Sequence, residues 1–279
     1  MHQAQLRRLM LVLLLALVIV LYAAPTLWLI STSLKEEGRV VSRTPQWIPN
    51  PITLDNYRAA FTRYPLARWL WNSVVVSVAT VVLSVLINVP AGYAFARYRF
   101  SGDWLLYWLS LISIMVPVQA YLVPLYLTFA SLGLLNTYTG LVLPLLANGF
   151  GVFLIRQFVQ QIPRELEEAA IVDGASRFTI LWRVVVPMTM PAIVTLIIFR
   201  FMASWNAFAW PLVATSSDQV KTLPVGLTLH IFGVFGAASA PPRYGLSMAA
   251  AFASILPAII VFLVLQRYFV QGMATSGLK

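Results

Sequence analysis

Charged side chains are scarce in this chain: 10% of its 279 residues are charged, 60% are hydrophobic, and the mean hydropathy is +0.82. A soluble domain carries roughly 25% charged residues, so this chain has too few to cover a surface that faces water. Intrinsic disorder is excluded as well, because it requires low hydrophobicity together with high net charge. The composition therefore predicts a protein that crosses a membrane several times.

Cysteine is absent, and histidine is nearly so. A chain without Cys has no disulfide, no thiolate metal site and no Cys nucleophile. Its two histidines, His2 and His230, are far apart in the sequence, which argues against a His-based metal site. We therefore predict that the chain holds no metal and no catalytic residue.

The net charge of +10 raises the question of nucleic-acid binding. Proteins that bind nucleic acids gather Lys and Arg on one solvated face. Here the basic residues stand between long apolar runs, where they flank membrane spans. We therefore expect membrane lipid around the chain and no nucleic acid.

Six apolar runs each have about the 17–25 residues that a helix needs to cross a bilayer. They comprise residues 9–31, 74–96, 104–127, 139–155, 191–213 and 246–265. Pro117, Pro124, Pro144 and Pro257 lie inside runs, where a break can line a path or can be a kink that neighbouring helices satisfy. The pattern predicts an all-α membrane protein with six transmembrane helices in a single domain, residues 1–279.

Six spans place both termini on the same side of the membrane, and the positive-inside rule should identify that side. With the termini inside, the inner segments carry ten Lys and Arg residues and the outer segments carry eight. This difference is too small to decide the orientation. The short turn containing Arg97 and Arg99, and the Arg7–Arg8 start, favour termini on the inside.

The longest polar stretch on that inner side is residues 156–190. Pro163 suits a helix start, and Gly174 can adopt the positive φ that stops a helix. Ser176 is a good N-cap for a second helix, and Pro187 interrupts the chain before the next span. The sequence predicts a short helix, a sharp turn and a second short helix against the cytoplasmic face.

This stretch resembles a motif of the permease subunits of ATP-driven (ABC) importers. The motif is E-A-A, three residues, G, nine residues and then I-x-L-P, and here it stands as Glu168-Ala-Ala170, Gly174 and Val184-x-Val186-Pro187. Further similarity lies in Leu54-Asp-Asn-Tyr57, Asn72-Ser73, Gly133-Leu-Leu-Asn-Thr137, Trp210-Pro-Leu212 and Thr222-Leu-Pro-Val-Gly226. Together these motifs resemble the shorter, six-span permease of maltose-type carbohydrate importers.

The resemblance implies the ABC type I importer fold and a set of partners. These are a second, different permease, two cytoplasmic ATPase subunits or domains, and an extracytoplasmic solute-binding protein. The chain itself would bind no cofactor, since ATP and Mg²⁺ would belong to the partner ATPase. It would lie in a prokaryotic inner or plasma membrane with both termini in the cytoplasm and carry a sugar or sugar-like solute.

The resemblance also implies which residues couple the chain to its ATPase. The first helix of the inner segment would be the coupling helix, and Glu168 would contact basic groups in a cleft of the ATPase. The residues expected at this site are Glu165, Glu168, Ala169, Ala170, Asp173, Gly174 and Pro187.

Arg200 is the only ionisable residue inside the six runs, and such residues are functional candidates by default. It either faces the translocation path or pairs with a carbonyl or polar group of the companion subunit, and we favour the second role. Neutral polar residues at membrane depth are more often interhelical contacts than ligands. As candidates for the path we retain Asn88, Gln119, Asn148, Arg200 and Asn206.

Two other classes of protein are less consistent with the sequence. A secondary transporter commonly needs intramembrane carboxylates for its coupling ion, and the six runs contain no Asp or Glu. An intramembrane hydrolase would need a motif such as H-E-x-x-H or G-x-S-x-G, and neither occurs. The chain also lacks the G-x-x-x-x-G-K-[ST] loop of an ATPase.

The predicted orientation can be tested directly because the chain is free of Cys. In intact cells, a Cys introduced at Ser42 should react with a membrane-impermeant thiol reagent, whereas a Cys at Ser176 should react only after the cells are opened. Labelling of Ser176→Cys but not Ser42→Cys in intact cells would contradict the topology.

Overall fold

The computed structural model describes residues 2–42, 44–146, 148–232 and 243–276, with side chains for residues 5–266 within these ranges. The described residues form helices and no strand, as the sequence predicts. The first eight are α1 (His2–Ser33), α2 (Glu37–Val40), α3 (Asp55–Arg63), α4 (Leu66–Arg97), α5 (Asp103–Met115), α6 (Val118–Ser131), α7 (Tyr138–Leu146) and α8 (Gly149–Gln160). Next come α9 (Arg164–Val172), α10 (Arg177–Ile180), α11 (Val186–Met188), α12 (Met190–Trp205), α13 (Ala209–Ala214), α14 (Leu223–Gly226) and α15 (Tyr244–Ser276). Two π-helical turns, Leu181–Val185 and Leu227–Ile231, follow α10 and α14.

By length and composition, the described part of the chain contains three helices able to span a membrane, within α1, α4 and α15. Three bent pairs of helices raise this number to six if each pair is one span. These pairs are α5 with α6, α7 with α8, and the segment Arg177–Met188 with α12. The upper number of six equals the number of predicted spans. The third pair, however, includes Arg177–Met188, which the sequence analysis places in the segment 156–190 and not in a span.

The predicted run 104–127 is not one continuous helix. The chain bends by 105° between α5 and α6, at Val116 and Pro117. Pro disfavours helical geometry in the residue before it, and Val116 is indeed extended, with φ −89° and ψ 112°. Pro124 and Pro144, by contrast, lie inside helices.

The predicted run 191–213 also differs from the structure. Helix α12 ends at Trp205, and Ala209–Ala214 forms the separate helix α13. At its other end, α12 meets the preceding helical segment at an angle of 80°, close to Pro187 and Pro191. The predicted break before this span is therefore present, at Thr189 between the two prolines.

The chain divides into two compact units. The first contains Met1–Ala67 and Gly226–Leu256. In it, the amide of Asn56 donates to the carbonyls of Ser33 (3.0 Å) and Lys35 (2.6 Å). The carboxylate of Glu37 accepts hydrogen bonds from the backbone N–H groups of Gly245 and Leu246, at the start of α15.

The second unit contains Arg68–Val225 and Pro257–Lys279 and has two hydrophobic clusters. One cluster joins α4, α8 and α12 to the residues around α10, through Tyr93, Ile155, Ile180 and Leu196. The other joins α4, α6, α7 and α13 around Trp210. The segment that follows α8, up to residue 190, thereby packs against helices α4, α8 and α12.

Helix α8 begins in close contact with α5. A Cβ atom added to Gly149 would lie 1.8 Å from the carbonyl oxygen of Ser110, which is a backbone atom and cannot swing aside. Only glycine lets the two backbones approach this closely.

We therefore expect Gly149→Ala to destabilise the chain by about 1–3 kcal/mol, the typical cost of overpacking. The apparent melting temperature of the detergent-solubilised protein should fall. Gly38→Ala is the matched control, because nothing lies within 4 Å of the Cβ added there. Equal melting temperatures for the two variants would show that the contact between α5 and α8 is not tight.

Candidate functional site

The first helix predicted within the segment 156–190 is α9, which starts directly after Pro163 and ends in a defined hydrogen-bonded turn. The N–H of Gly174 donates to the carbonyl of Ile171 (2.9 Å), and the N–H of Ala175 donates to that of Ala170 (2.9 Å). These two bonds are those of a Schellman motif, which needs a left-handed residue after the helix. Gly174 supplies it with φ +79°, so the predicted helix stop is confirmed.

The second helical part of the segment begins at its predicted cap. The hydroxyl of Ser176 accepts a hydrogen bond from the N–H of Thr179 (3.2 Å), which is the usual N-cap contact. Helix α10, the π-helical turn and α11 then form one helical segment, Arg177–Met188, at the position of the predicted second helix. Ile180, Leu181 and Val185 are buried, while Phe178 is exposed.

One side of the segment is exposed and carries most of the predicted coupling residues. Glu165, Glu168, Ala169, Asp173, Gly174 and Pro187 are exposed. Large apolar side chains are exposed beside them, including Val172 (87% exposed) and Phe178 (71% exposed), together with Leu166 and Ile171. We call Glu165, Leu166, Glu168, Ile171, Val172 and Phe178 the α9 surface. The predicted site residue Ala170 is instead half-buried and packs on the hydrophobic cluster beneath.

Glu167 points away from this surface, a feature that the sequence analysis did not predict. One carboxylate oxygen accepts from Nε of Arg97 (2.5 Å), and the other accepts from the hydroxyl of Tyr93 (2.9 Å). The side chains of Arg97 and Glu167 are only 7% and 11% exposed. The burial of Glu167 could have been inferred from its position in the helix. It precedes the half-buried Ala170 by three residues and therefore lies on the same helix face.

Arg200 is 6% exposed and lies within the second unit. Its guanidinium donates to the hydroxyl of Ser84 on α4 (3.3 Å) and to the carbonyl of Leu145. Leu145 lies in the last turn of α7, where backbone carbonyls lack helical partners and the helix dipole favours a cation. The predicted pairing with a carbonyl is therefore present, but its partners belong to the same chain, which corrects the expectation of a companion subunit.

The other path candidates do not converge on one site. Asn88 is buried and donates to the carbonyl of Ser84 on its own helix (2.6 Å), so it shares Ser84 with Arg200. Asn148 caps α8 by accepting from the N–H of Gly151 (3.2 Å). Gln119 and Asn206 are exposed. Three of the five candidates thus make hydrogen bonds that stabilise helices. The exposed Asn206 also donates, to the carbonyl of Met202 (3.0 Å).

Several of the motifs that resemble those of the family connect loops to helices by hydrogen bonds. The amide of Asn72 donates to the carbonyl of Lys221 (2.8 Å), and its oxygen accepts from the hydroxyl of Tyr138 (2.7 Å). Asn136, which adopts a positive φ of 57°, accepts from the N–H groups of Ser216 and Ser217 (both 3.0 Å). These polar residues have structural roles that hydropathy alone does not indicate.

Comparison with known proteins identifies the family. The sequence model of the family described as "Binding-protein-dependent transport system inner membrane component" matches residues 88–275. The chain belongs to that family. Its similarity to the arabinooligosaccharides transport system permease protein of Bacillus subtilis (strain 168) is 33% identity over 93% of this chain and 91% of the relative. The sulfoquinovosyl glycerol transport system permease protein of Agrobacterium fabrum (strain C58) is 35% identical over 91% of this chain and 88% of the relative.

A solved structure supports the same assignment. One chain of a bacterial ABC transporter involved in the import of the acidic polysaccharide alginate superposes with a TM-score of 0.84. Sequence identity is 25%, and the match covers 96% of this chain and 98% of the other. The predicted ABC type I importer fold and the predicted role as a permease subunit, rather than an enzyme, are confirmed. This permease is an inner-membrane protein that works with a binding protein.

The contacts of Arg200 predict its role in this permease. Arg200→Gln should leave the carbonyl at the end of α7 without its charged partner, at a cost of about 1–3 kcal/mol. The yield of folded permease should fall, and any transport defect should follow that loss. Arg99→Gln is a suitable control, because its side chain is 91% exposed. Normal yield with altered substrate selectivity would instead place Arg200 on the substrate path.

Proposed function

We propose that this chain is one of two different permease subunits of an ATP-driven importer for a sugar or sugar-like solute. The α9 surface docks on a cytoplasmic ATPase, and its movement changes the access of the translocation path. Both termini then lie in the cytoplasm, and the loop between α1 and α4 lies outside. The partners are the second permease, two ATPase subunits or domains, and an extracytoplasmic solute-binding protein.

The α9 surface is the observation that carries this proposal. Apolar side chains as exposed as Val172 and Phe178 mark an interaction surface when they are grouped and rimmed by polar residues. Glu165 and Glu168 provide that rim and give the surface a negative charge. Because the helix ends in a closed turn at Gly174, the surface is held in one shape. A rigid helix of this kind can transmit motion as a body when its partner moves.

The substrate class rests on what related proteins transport. By their names, the two relatives handle arabinooligosaccharides and sulfoquinovosyl glycerol, and the superposed transporter imports alginate. These substrates share sugar rings and differ in charge and length. A sugar or sugar-like solute is therefore the class that we propose, without a choice among its members.

The proposal also assigns ATP hydrolysis and membrane transport to different chains. Since the chain lacks an ATP-binding loop of the G-x-x-x-x-G-K-[ST] type, ATP and Mg²⁺ belong to the partner ATPase. This chain contributes the membrane path and the coupling helix, and it holds no cofactor of its own.

The proposal predicts the effect of two substitutions in the coupling segment. Glu168→Lys reverses a charge on the α9 surface, and Gly174→Val places a β-branched residue at φ +79°, which such residues avoid. Loss of a charge-assisted contact is worth about 1.5–3 kcal/mol, which corresponds to a roughly tenfold or greater loss of affinity. Both variants should insert in the membrane but retain less ATPase during purification, and binding-protein-stimulated ATP hydrolysis should fall in parallel.

Matched controls are available in the loop after α1. Glu36 is exposed, and Gly38 has open space around it and no positive φ. Glu36→Lys and Gly38→Val should therefore retain the ATPase normally. If Glu168→Lys and Gly174→Val behave like these controls, the segment is an ordinary loop and the proposed function loses its support.

A further inference from the structure

Glu167 and Glu168 are adjacent in sequence but face different environments. Glu168 is exposed on the coupling segment, whereas Glu167 is buried beneath it. Neighbouring residues of a helix point about 100° apart, so one turn of α9 presents a carboxylate to each side. The resemblance assigns a role only to the exposed one.

Residues at the end of α4 donate hydrogen bonds to both oxygens of the buried carboxylate. Each of its oxygens accepts one hydrogen bond, from Arg97 and from Tyr93. A second nitrogen of Arg97 donates to the carbonyl of Ile162 (2.6 Å), which precedes Pro163 and the start of α9. Arg97 therefore contacts both the turn before α9 and the first turn of the helix itself.

The second half of the coupling segment is attached to the same place. The guanidinium carbon of Arg177 on α10 lies 4.9 Å from the ring centroid of Tyr98, in the range of a cation–π contact. The hydroxyl of Tyr98 in turn donates to that of Tyr93 (3.3 Å). Tyr93, Arg97, Tyr98 and Glu167 form a continuous polar group, which we call the α4 clamp.

A buried ion pair is a costly way to secure a helix. Apolar side chains of similar volume often give equal or greater stability, because they avoid the desolvation of two charges. The hydrogen bonds of the charged clamp are directional. They therefore fix the rotation and the axial position of α9 relative to α4. An apolar contact would resist separation of the helices but would permit sliding.

We propose that Glu167 is a positioning residue of the coupling site, and that through Arg97 and Tyr93 it makes α4 follow the movements of α9. This inference rests on the proposed function and deepens it. Glu168 and its neighbours bind the ATPase, while Glu167 passes the displacement to a membrane helix. Weakening the clamp should therefore reduce the transmission of motion to α4 but leave ATPase binding intact. Weakening the α9 surface should reduce both.

The test compares Glu167→Gln and Tyr93→Phe with wild type in the purified complex of permeases and ATPase, reconstituted in lipid vesicles. MgATP and the cognate solute-binding protein, prepared without added sugar, are the probes. Three quantities are measured: the ATPase retained per permease, hydrolysis without binding protein, and the factor by which binding protein stimulates hydrolysis. The first two should remain near wild type. The stimulation factor should fall roughly tenfold in Glu167→Gln, because a hydrogen bond to a charged group is lost, and less in Tyr93→Phe.

Glu36→Gln and Tyr244→Phe make the same chemical changes at exposed positions and should behave like wild type. If Glu167 serves only to fold the segment, fewer complexes will retain ATPase, but those that do will show the wild-type stimulation factor, which overturns the proposal. Wild-type values in both clamp variants overturn it as well and leave the proposed function intact. Failure of binding protein to stimulate even the wild-type complex would contradict the proposed function, and the clamp with it.

Discussion

Every interruption of a helix inside a membrane frees backbone carbonyls that lipid cannot solvate, so the chain must supply their partners itself. The break between α7 and α8 shows how this permease does so. Arg200, from α12, donates to the carbonyl of Leu145 at one side of the break, and Asn148 caps α8 at the other. Ser84 on α4 holds the same guanidinium. Arg200, the single charge within the apolar runs, therefore links α4, α7 and α12. Both hydrophobic clusters of the second unit include residues of these helices.

The contact between α9 and the end of α4 depends on a second buried charge, the carboxylate of Glu167. Under the proposed function, α9 must present polar and apolar groups to another protein while remaining attached to the membrane helices of its own chain. Helix α9 separates these tasks by face, with Glu168, Val172 and their neighbours outward, and Glu167 and Ala170 inward. Because the inward carboxylate is paired with Arg97, the exposed surface has a defined orientation before any partner binds.

Local signals in the sequence predicted much of this architecture. The start of α9 after Pro163, the turn at Gly174 and the cap at Ser176 all depend on residues within a few positions of one another, and all three are present. The partners of Arg200 and Glu167 were not predictable in this way, because Ser84 and Arg97 lie on another helix far away in the sequence. Hydropathy likewise located the third run but not its bend of 105°, since Pro117 permits a break as readily as a mild kink. The assignment of Glu168 to the ATPase contact remains a prediction from resemblance.

The pairing of Arg97 with Glu167 also has a bearing on biogenesis, because the two residues are 70 positions apart. A nascent chain that has inserted only α1–α4 contains the guanidinium but not the carboxylate. The orientation of α9 is thus specified only after α5–α8 have entered the bilayer and returned the chain to the end of α4. A truncated or misinserted permease would carry the E-A-A sequence without the contact between α9 and α4. The attachment of α9 to α4 is therefore a late step of assembly, which follows the insertion of the four helices between them.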